Sequence, residues 1–153
     1  IHGGGGQRRV AVQDFCTGPG RTVLAGDEIV THIEIPAPAP RTGKVYIKHG
    51  RRSQMELATV GVAVRVTLGE GGEVADLAIV LAAVAPTPLR ATQAEGLLRG
   101  QQPTPERLAQ TAQAACDEAR PIGDVRGSAA YRREMVRVLT QRALVQALQE
   151  AQQ

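Results

Sequence analysis

The stretch Thr59-Val60-Gly61-Val62-Ala63-Val64-Arg65-Val66-Thr67-Leu68-Gly69-Glu70-Gly71-Gly72 carries the clearest structural signal in this chain. Val60, Val62, Val64, Val66 and Leu68 fall in one phase, and a two-residue period of that length predicts a strand with one buried face. The glycine-rich segment that follows predicts a hairpin turn into a further strand over residues 73–83. On the other side, Lys44 to Lys48 alternates in the same way and predicts a third strand. The three should form an antiparallel sheet of about three strands whose valine face is covered. The cover has to come from the C-terminal half, which contains no further strand-like run. The fold class expected is therefore α+β, a small antiparallel sheet packed against C-terminal helices.

That half reads as helices with clear punctuation. Pro86-Thr87-Pro88 stops the sheet, and residues 90–100 predict a short helix ending at Gly100. Thr104-Pro105-Glu106 is a strong start: an N-cap hydroxyl, a proline at the first helical position and a carboxylate near the positive end of the dipole. This helix should run to about Ala119, before Pro121. Ser128 caps a long last helix, with Met135, Val138, Leu139, Leu144, Val145 and Leu148 at helical spacing. Arg132, Arg133, Arg137, Gln141 and Glu150 fill its expected solvent face.

The N-terminal third is different in texture. The run Gly3-Gly4-Gly5-Gly6 lacks the preceding strand and following helix that a phosphate-binding loop needs, and reads as a hairpin turn. A short strand is expected over residues 8–12, then loop chemistry through Gly20. In Asp27-Glu28-Ile29-Val30-Thr31-His32-Ile33-Glu34-Ile35-Pro36, the residues Ile29, Thr31, Ile33 and Ile35 share a face, which predicts a strand. Ala37-Pro38-Ala39-Pro40 is then a stiff extended connector. It marks the expected domain boundary, between residues 1–40 and residues 41–153.

Composition narrows the function. The chain has 153 residues, 42% of them hydrophobic, but aromatics are only 2% and Trp is absent, so the core must be aliphatic. The net charge is +3, and the positive residues are scattered arginines with only two lysines, Lys44 and Lys48. Nucleic-acid binders concentrate positive charge and interleave aromatics, and neither pattern is present, so no nucleic-acid partner is expected. Cys16 and Cys116 belong to no metal-ligand spacing, and two unrelated thiols suit a reducing compartment, the cytoplasm. No apolar run approaches the roughly 20 residues that span a bilayer. The start Ile1-His2 reads as a chain entered partway.

One short segment concentrates charge between two apolar runs: Lys48-His49-Gly50-Arg51-Arg52-Ser53-Gln54-Met55-Glu56. Lys48, Arg52 and Glu56 recur at intervals of four. Charges held there are costly unless they pair with each other or face a ligand. On chemistry alone, an Arg52–Glu56 ion pair closing a tight loop accounts for two of them.

Taken in order, the signals resemble the flavin subunit of molybdenum hydroxylases, the group containing xanthine dehydrogenase and carbon monoxide dehydrogenase. The resemblance runs through Arg9-Val10-x-x-x-Asp14-Phe15 and Asp27-Glu28-Ile29-Val30-x-x-Ile33-x-Ile35-Pro36. It continues in Lys48-x-x-x-Arg52-x-x-x-Glu56-Leu57-Ala58 and in Val84-Ala85-Pro86-Thr87-Pro88-x-Arg90-Ala91-x-x-Ala94-Glu95. It ends in Asp124-x-Arg126-Gly127-Ser128-Ala129-x-Tyr131-Arg132. Two departures stand out: Glu56 where many relatives carry Asp, and Ala82-Ala83 where glycine is common, which suggests looser backbone packing. The Asp124, Arg126, Tyr131 and Arg132 group reads as structural.

The resemblance implies that residues 1–40 are the end of an FAD-binding domain and residues 41–153 the C-terminal domain of the flavoprotein. It implies FAD shared with an upstream domain, with Val30 against the isoalloxazine and Lys48 at its polar edge. Arg52 and Glu56 would support the loop beside the flavin. Molybdopterin and 2Fe-2S clusters would lie on partners, a large molybdopterin-binding subunit and a small 2Fe-2S subunit. No catalytic residue and no metal ligand is assigned to this chain. The competing expectation is a non-catalytic scaffold that binds partner subunits and never touches flavin.

Overall fold

A computed structural model of the chain describes residues 1–52 and 55–153; Ser53 and Gln54, inside the charged segment, lie outside the described residues. The chain divides into two compact units, Ile1–Pro38 and Ala39–Gln153.

In the first unit, β1 (His2–Gly3) and β2 (Gly6–Gln7) pair antiparallel around the glycine run, the expected hairpin. The strand expected over residues 8–12 is absent; Val12–Phe15 is instead a single helical turn, α1. A second small hairpin follows, β3 (Cys16–Gly18) with β4 (Arg21–Thr22). The strand expected over residues 27–35 is also absent: only Ile29 forms a bridge, to His2. Alternation marks residues suited to one face of a ladder, but a strand exists only where a neighbour supplies its hydrogen bonds. Among the described residues none does so beyond Ile29, and Ile33 and Ile35 stand exposed. The unit is tied by Arg8, which meets Glu28 through two N–H groups at 2.7 and 2.8 Å and donates to Val23 O at 2.9 Å. This guanidinium, with the Ala25 N–H, holds the Glu28 carboxyl at about 2.

The second unit contains a four-stranded antiparallel meander. Its strands are β5 (Thr42–His49), β6 (Val60–Leu68), β7 (Val74–Ala82) and β8 (Leu89–Arg90), in that order. The sheet has one strand more than the sequence pattern suggested. β8 is two residues long, too short to show a period, and pairs Val80 with Arg90 and Leu81 with Leu89. The first helix, α2 (Thr92–Leu98), accordingly starts two residues later than expected. It is followed by α3 (Pro105–Glu118) and α4 (Ala129–Ala151). Both expected caps are made: Thr104 Oγ1 accepts from Arg107 N, and Ser128 Oγ accepts from Tyr131 N.

Val60, Val62, Val64, Val66 and Leu68 are all buried, as their shared phase requires, and Leu77, Ile79 and Leu81 join them from β7. Each such side chain contributes about 1.5–3 kcal/mol when fully buried. α4 lies across β5 and β6, α2 packs on β7, and α3 packs on α2 and α4. The buried face of α4 differs from the expected one. It consists of Arg132, Val136, Leu139, Thr140, Ala143, Leu144, Ala147, Leu148 and Ala151, while Val145 is exposed. Arg132, placed by pattern on the solvent side, is only 4% exposed.

The small residues on α4 have a reason. A Cβ built at Gly43 would lie 1.8 Å from Ala147 O, so the helix backbone rests directly on β5. Glu150 then accepts from Lys44 N at 2.6 Å. Gly43→Ala is expected to lower stability in urea denaturation by about 1–3 kcal/mol or more, through overpacking. Gly96→Ala, at an exposed position of α2 with nothing within 4 Å of a built Cβ, should raise it by about 0.5–1 kcal/mol. Equal effects of the two would contradict this packing.

Candidate functional site

β5 alternates Val45 and Ile47 toward the helices with Lys44, Tyr46 and Lys48 on the opposite, outer face. Lys48 therefore ends an outer-face row just before the chain turns at Gly50. Its Nζ donates to the main-chain oxygen of Glu56. The Glu56 carboxylate points elsewhere: Oε1 is 3.3 Å from Arg51 Nε, and Oε2 accepts from the main-chain N–H of Arg52. The guanidinium facing Glu56 is thus Arg51 rather than Arg52, which corrects the pairing drawn from four-residue spacing. That spacing brings side chains together on a helix; in a loop the turn decides. Arg52 uses its own guanidinium to hold Met55 O at 3.2 Å. Gly50 makes room for this arrangement, since a Cβ there would lie 2.9 Å from Glu56 Oε2.

The loop is shut at its base by Thr59 N donating to His49 O at 2.8 Å. His49 Nε2 in turn lies 2.8 Å from the Tyr131 hydroxyl on α4. Beneath it sits Arg132, whose Nη1 donates to Thr59 O at 3.1 Å and to Ala83 O at 3.0 Å. Its Nη2 lies 2.7 Å from Asp124 Oδ1, an ion pair whose N–H is off the hydrogen-bond line. Asp124 also accepts from Arg126 N at 2.8 Å. The expected Asp124, Arg126 and Arg132 cluster is therefore real, and it braces the loop that carries Lys48. Ala83 has φ +63°, a left-handed conformation that glycine adopts without strain. Alanine at this position gives a strained turn rather than the looser packing suggested by the sequence.

Lys48, Arg52 and Glu56 meet in one loop of the second unit. Val30 lies in the first unit, 39% exposed, beside the bridging Ile29. Tyr46 was not singled out from sequence, although it shares the two-residue phase of Lys44 and Lys48. It is 60% exposed, and its ring lies over Gly61, where a Cβ would sit 2.9 Å from the hydroxyl. Among the described residues no group of His, Cys, Asp and Glu is arranged to hold a metal ion, and no helix is long and apolar enough to cross a membrane.

Residues 45–147 match the family model of the CO dehydrogenase flavoprotein C-terminal domain. This chain belongs to that family. Along nearly its whole length the chain is 35% identical, over 144 residues, to the carbon monoxide dehydrogenase medium chain of Hydrogenophaga pseudoflava, covering 94% of this chain and 50% of the relative. It is 27% identical over 152 residues to a xanthine dehydrogenase FAD-binding subunit of Escherichia coli, covering 99% of this chain and 52% of that one. In three dimensions it matches a chain of the carbon monoxide dehydrogenase of Hydrogenophaga pseudoflava with TM-score 0.93 and 37% identity, over 97% of this chain and 51% of that chain. A chain of quinoline 2-oxidoreductase from Pseudomonas putida matches with TM-score 0.89 and 29% identity, over 98% and 51%. The chain thus spans about half the length of the curated relatives it matches. The Lys48 loop and the Arg132 bracket lie inside the flavoprotein C-terminal domain match, as does the outer sheet face apart from Lys44.

Two predictions follow from this geometry. The Arg52 N–H, with Arg51, lowers the Glu56 pKa from its usual value near 4.5. A depressed carboxyl pKa stabilises the loop above that usual value, and the gain is lost as pH falls through the folded-state value. Hydrogen exchange should show the Arg52 amide protected at neutral pH and losing protection below about 4.5, with Glu56→Ala, which has no side-chain acceptor, unprotected throughout; pH-independent protection would contradict the pairing. Separately, Arg132→Met should cost on the order of 2 kcal/mol by stripping the donor from the buried Thr59 carbonyl. Arg132→Lys should not restore it, because one ammonium cannot reach the same fork of acceptors.

Proposed function

We propose that this chain is the C-terminal portion of the FAD-binding subunit of a molybdenum-containing hydroxylase or dehydrogenase. It completes the flavin pocket through which electrons pass from iron–sulfur clusters to an external acceptor. In this reading residues 1–40 are the tail of the FAD-binding domain and residues 41–153 the flavoprotein C-terminal domain. The partners are a large molybdopterin-binding subunit and a small 2Fe-2S subunit, in keeping with relatives named as medium chains, and the complex works in the cytoplasm.

The observation that carries the reading is the direction of the Glu56 carboxylate. It lies in the same loop as Lys48 yet is engaged by Arg51 and the Arg52 N–H, so Lys48 keeps an ammonium whose loop contact is a neutral carbonyl. Among the described residues no carboxylate lies within 4.0 Å of it. A fixed, uncompensated cation on a domain face fits the pyrimidine edge of a flavin. When bound, FAD supplies a ring that accepts and releases electrons, with negative charge growing at that edge on reduction. Lys48 then acts as a preorganised positive charge, held in place before the charge develops. Arg51, Arg52 and Glu56 support the loop beside the flavin, and Val30 packs against the ring.

Lys48→Met in the complete subunit is expected to lower the flavin reduction potential and slow flavin reduction, with the fold and the flavin content retained. An unchanged potential and rate would overturn the role given to Lys48. A native complex that is colourless and releases no FAD on denaturation would instead favour a scaffold.

A further inference from the structure

Away from Lys48, the outer face of the sheet has a second feature. Two cross-strand rows lie side by side there: Lys44, Arg65 and Ala78, and then Tyr46, Ala63 and Val80. They line a shallow depression of about 380 Å³, toward the lower end of the range for small-ligand sites. Its floor is apolar, Tyr46 stands at one end, and two cations stand at the other. Tyr46 leans over Gly61, away from Lys44, which leaves Ala63 and Val80 open between them.

The cations are placed against their own interest. Lys44 and Arg65 are directly opposed across β5 and β6, and like charges in that position repel. Arg65 is fixed by Asp76 at 2.7 Å, but Asp76 also serves Arg99 at 3.3 Å. Lys44 has no carboxylate within ion-pair distance among the described residues, because the nearby Glu150 is turned to its main-chain N–H. Arg99 is shared between Asp76 and Glu95, so of the opposed pair Arg65 has one carboxylate, itself shared, and Lys44 has none among the described residues. An anion seated between Lys44 and Arg65 removes the repulsion.

We propose that this ledge binds a planar aromatic group bearing a phosphate or carboxylate: the ring on Ala63 and Val80 against Tyr46, the anion between Lys44 and Arg65. Its anion end lies four residues from Lys48 along an extended strand, or roughly 13 Å, while Tyr46 leans over Gly61, the register partner of Lys48. It does not depend on the flavin reading.

The test is calorimetric titration of the full-length subunit, as purified, with adenosine 5′-monophosphate, adenosine and inorganic phosphate. The nucleotide is expected to bind about tenfold or more tighter than either fragment, to weaken as salt rises, and to lose about tenfold in Lys44→Gln. Arg65→Gln should show a similar loss, and Lys48→Met none. Lys44→Gln decides the matter, since that side chain is exposed and its loss leaves the fold unaltered. The proposal is overturned if the nucleotide does not bind, binds no better than adenosine, or binds Lys44→Gln like the parent. It is equally overturned if added FAD displaces the nucleotide, which would place the ledge inside the flavin pocket.

Discussion

A buried guanidinium organises the end of this domain that carries Lys48. Arg132 draws together the first residue before β6, the turn after β7 and the loop ahead of α4 by donating to Thr59 O and Ala83 O and pairing with Asp124. Removing such a group from water is costly unless its donors are used. Those acceptors come from segments distant in sequence, so the cost is met only when all three are in place. The base of the Lys48 loop is one of them. The position of a surface cation is in this way set by a charge deep inside the fold.

The same economy appears at the other end of the sheet. Glu95 on α2 is 2% exposed and accepts from Ile79 N at 2.9 Å, from Arg90 Nε at 2.8 Å and from Arg99 Nη2 at 3.3 Å. Its carboxylate takes over the hydrogen bond that β8, only two residues long, cannot supply to β7. Between these two polar fixings lies an aliphatic core with close helix–sheet contact at Gly43. The helices thereby cover one face of the sheet, and the opposite face carries Lys48, Tyr46 and Lys44, all exposed.

Much of this was legible in the sequence, and the failures have physical reasons. The valine alternation of β6 was readable because one face is wholly buried, so the pattern is unmixed. The helix starts at Thr104 and Ser128 were readable because capping is a local interaction. The alternation of residues 29–35 was equally clean, yet it reports suitability for a ladder, not the presence of a partner. Arg132 was assigned to solvent because an unpaired arginine is rarely buried, although Val136 and Leu139 stand four and seven residues on in its helical phase; its buried acceptors come from segments distant in sequence. The loop was singled out correctly by its density of charge, but the choice of Arg51 over Arg52 depended on a turn that residue spacing does not encode. Tyr46 did carry a signal, its phase with two lysines, but one aromatic on a strand is ordinarily packing.

The proposed function rests on a separation of charges: Glu56 is engaged by Arg51 and the Arg52 N–H, Lys48 by a main-chain carbonyl, and the Arg132 bracket lies at the base of their loop. The most direct measurement is a crystal structure of the flavin-loaded full subunit. The account requires Lys48 Nζ to lie within hydrogen-bonding reach of the pyrimidine edge of the isoalloxazine, with Glu56 still turned to Arg51. A flavin bound elsewhere, with Lys48 in solvent or paired to Glu56, would contradict it.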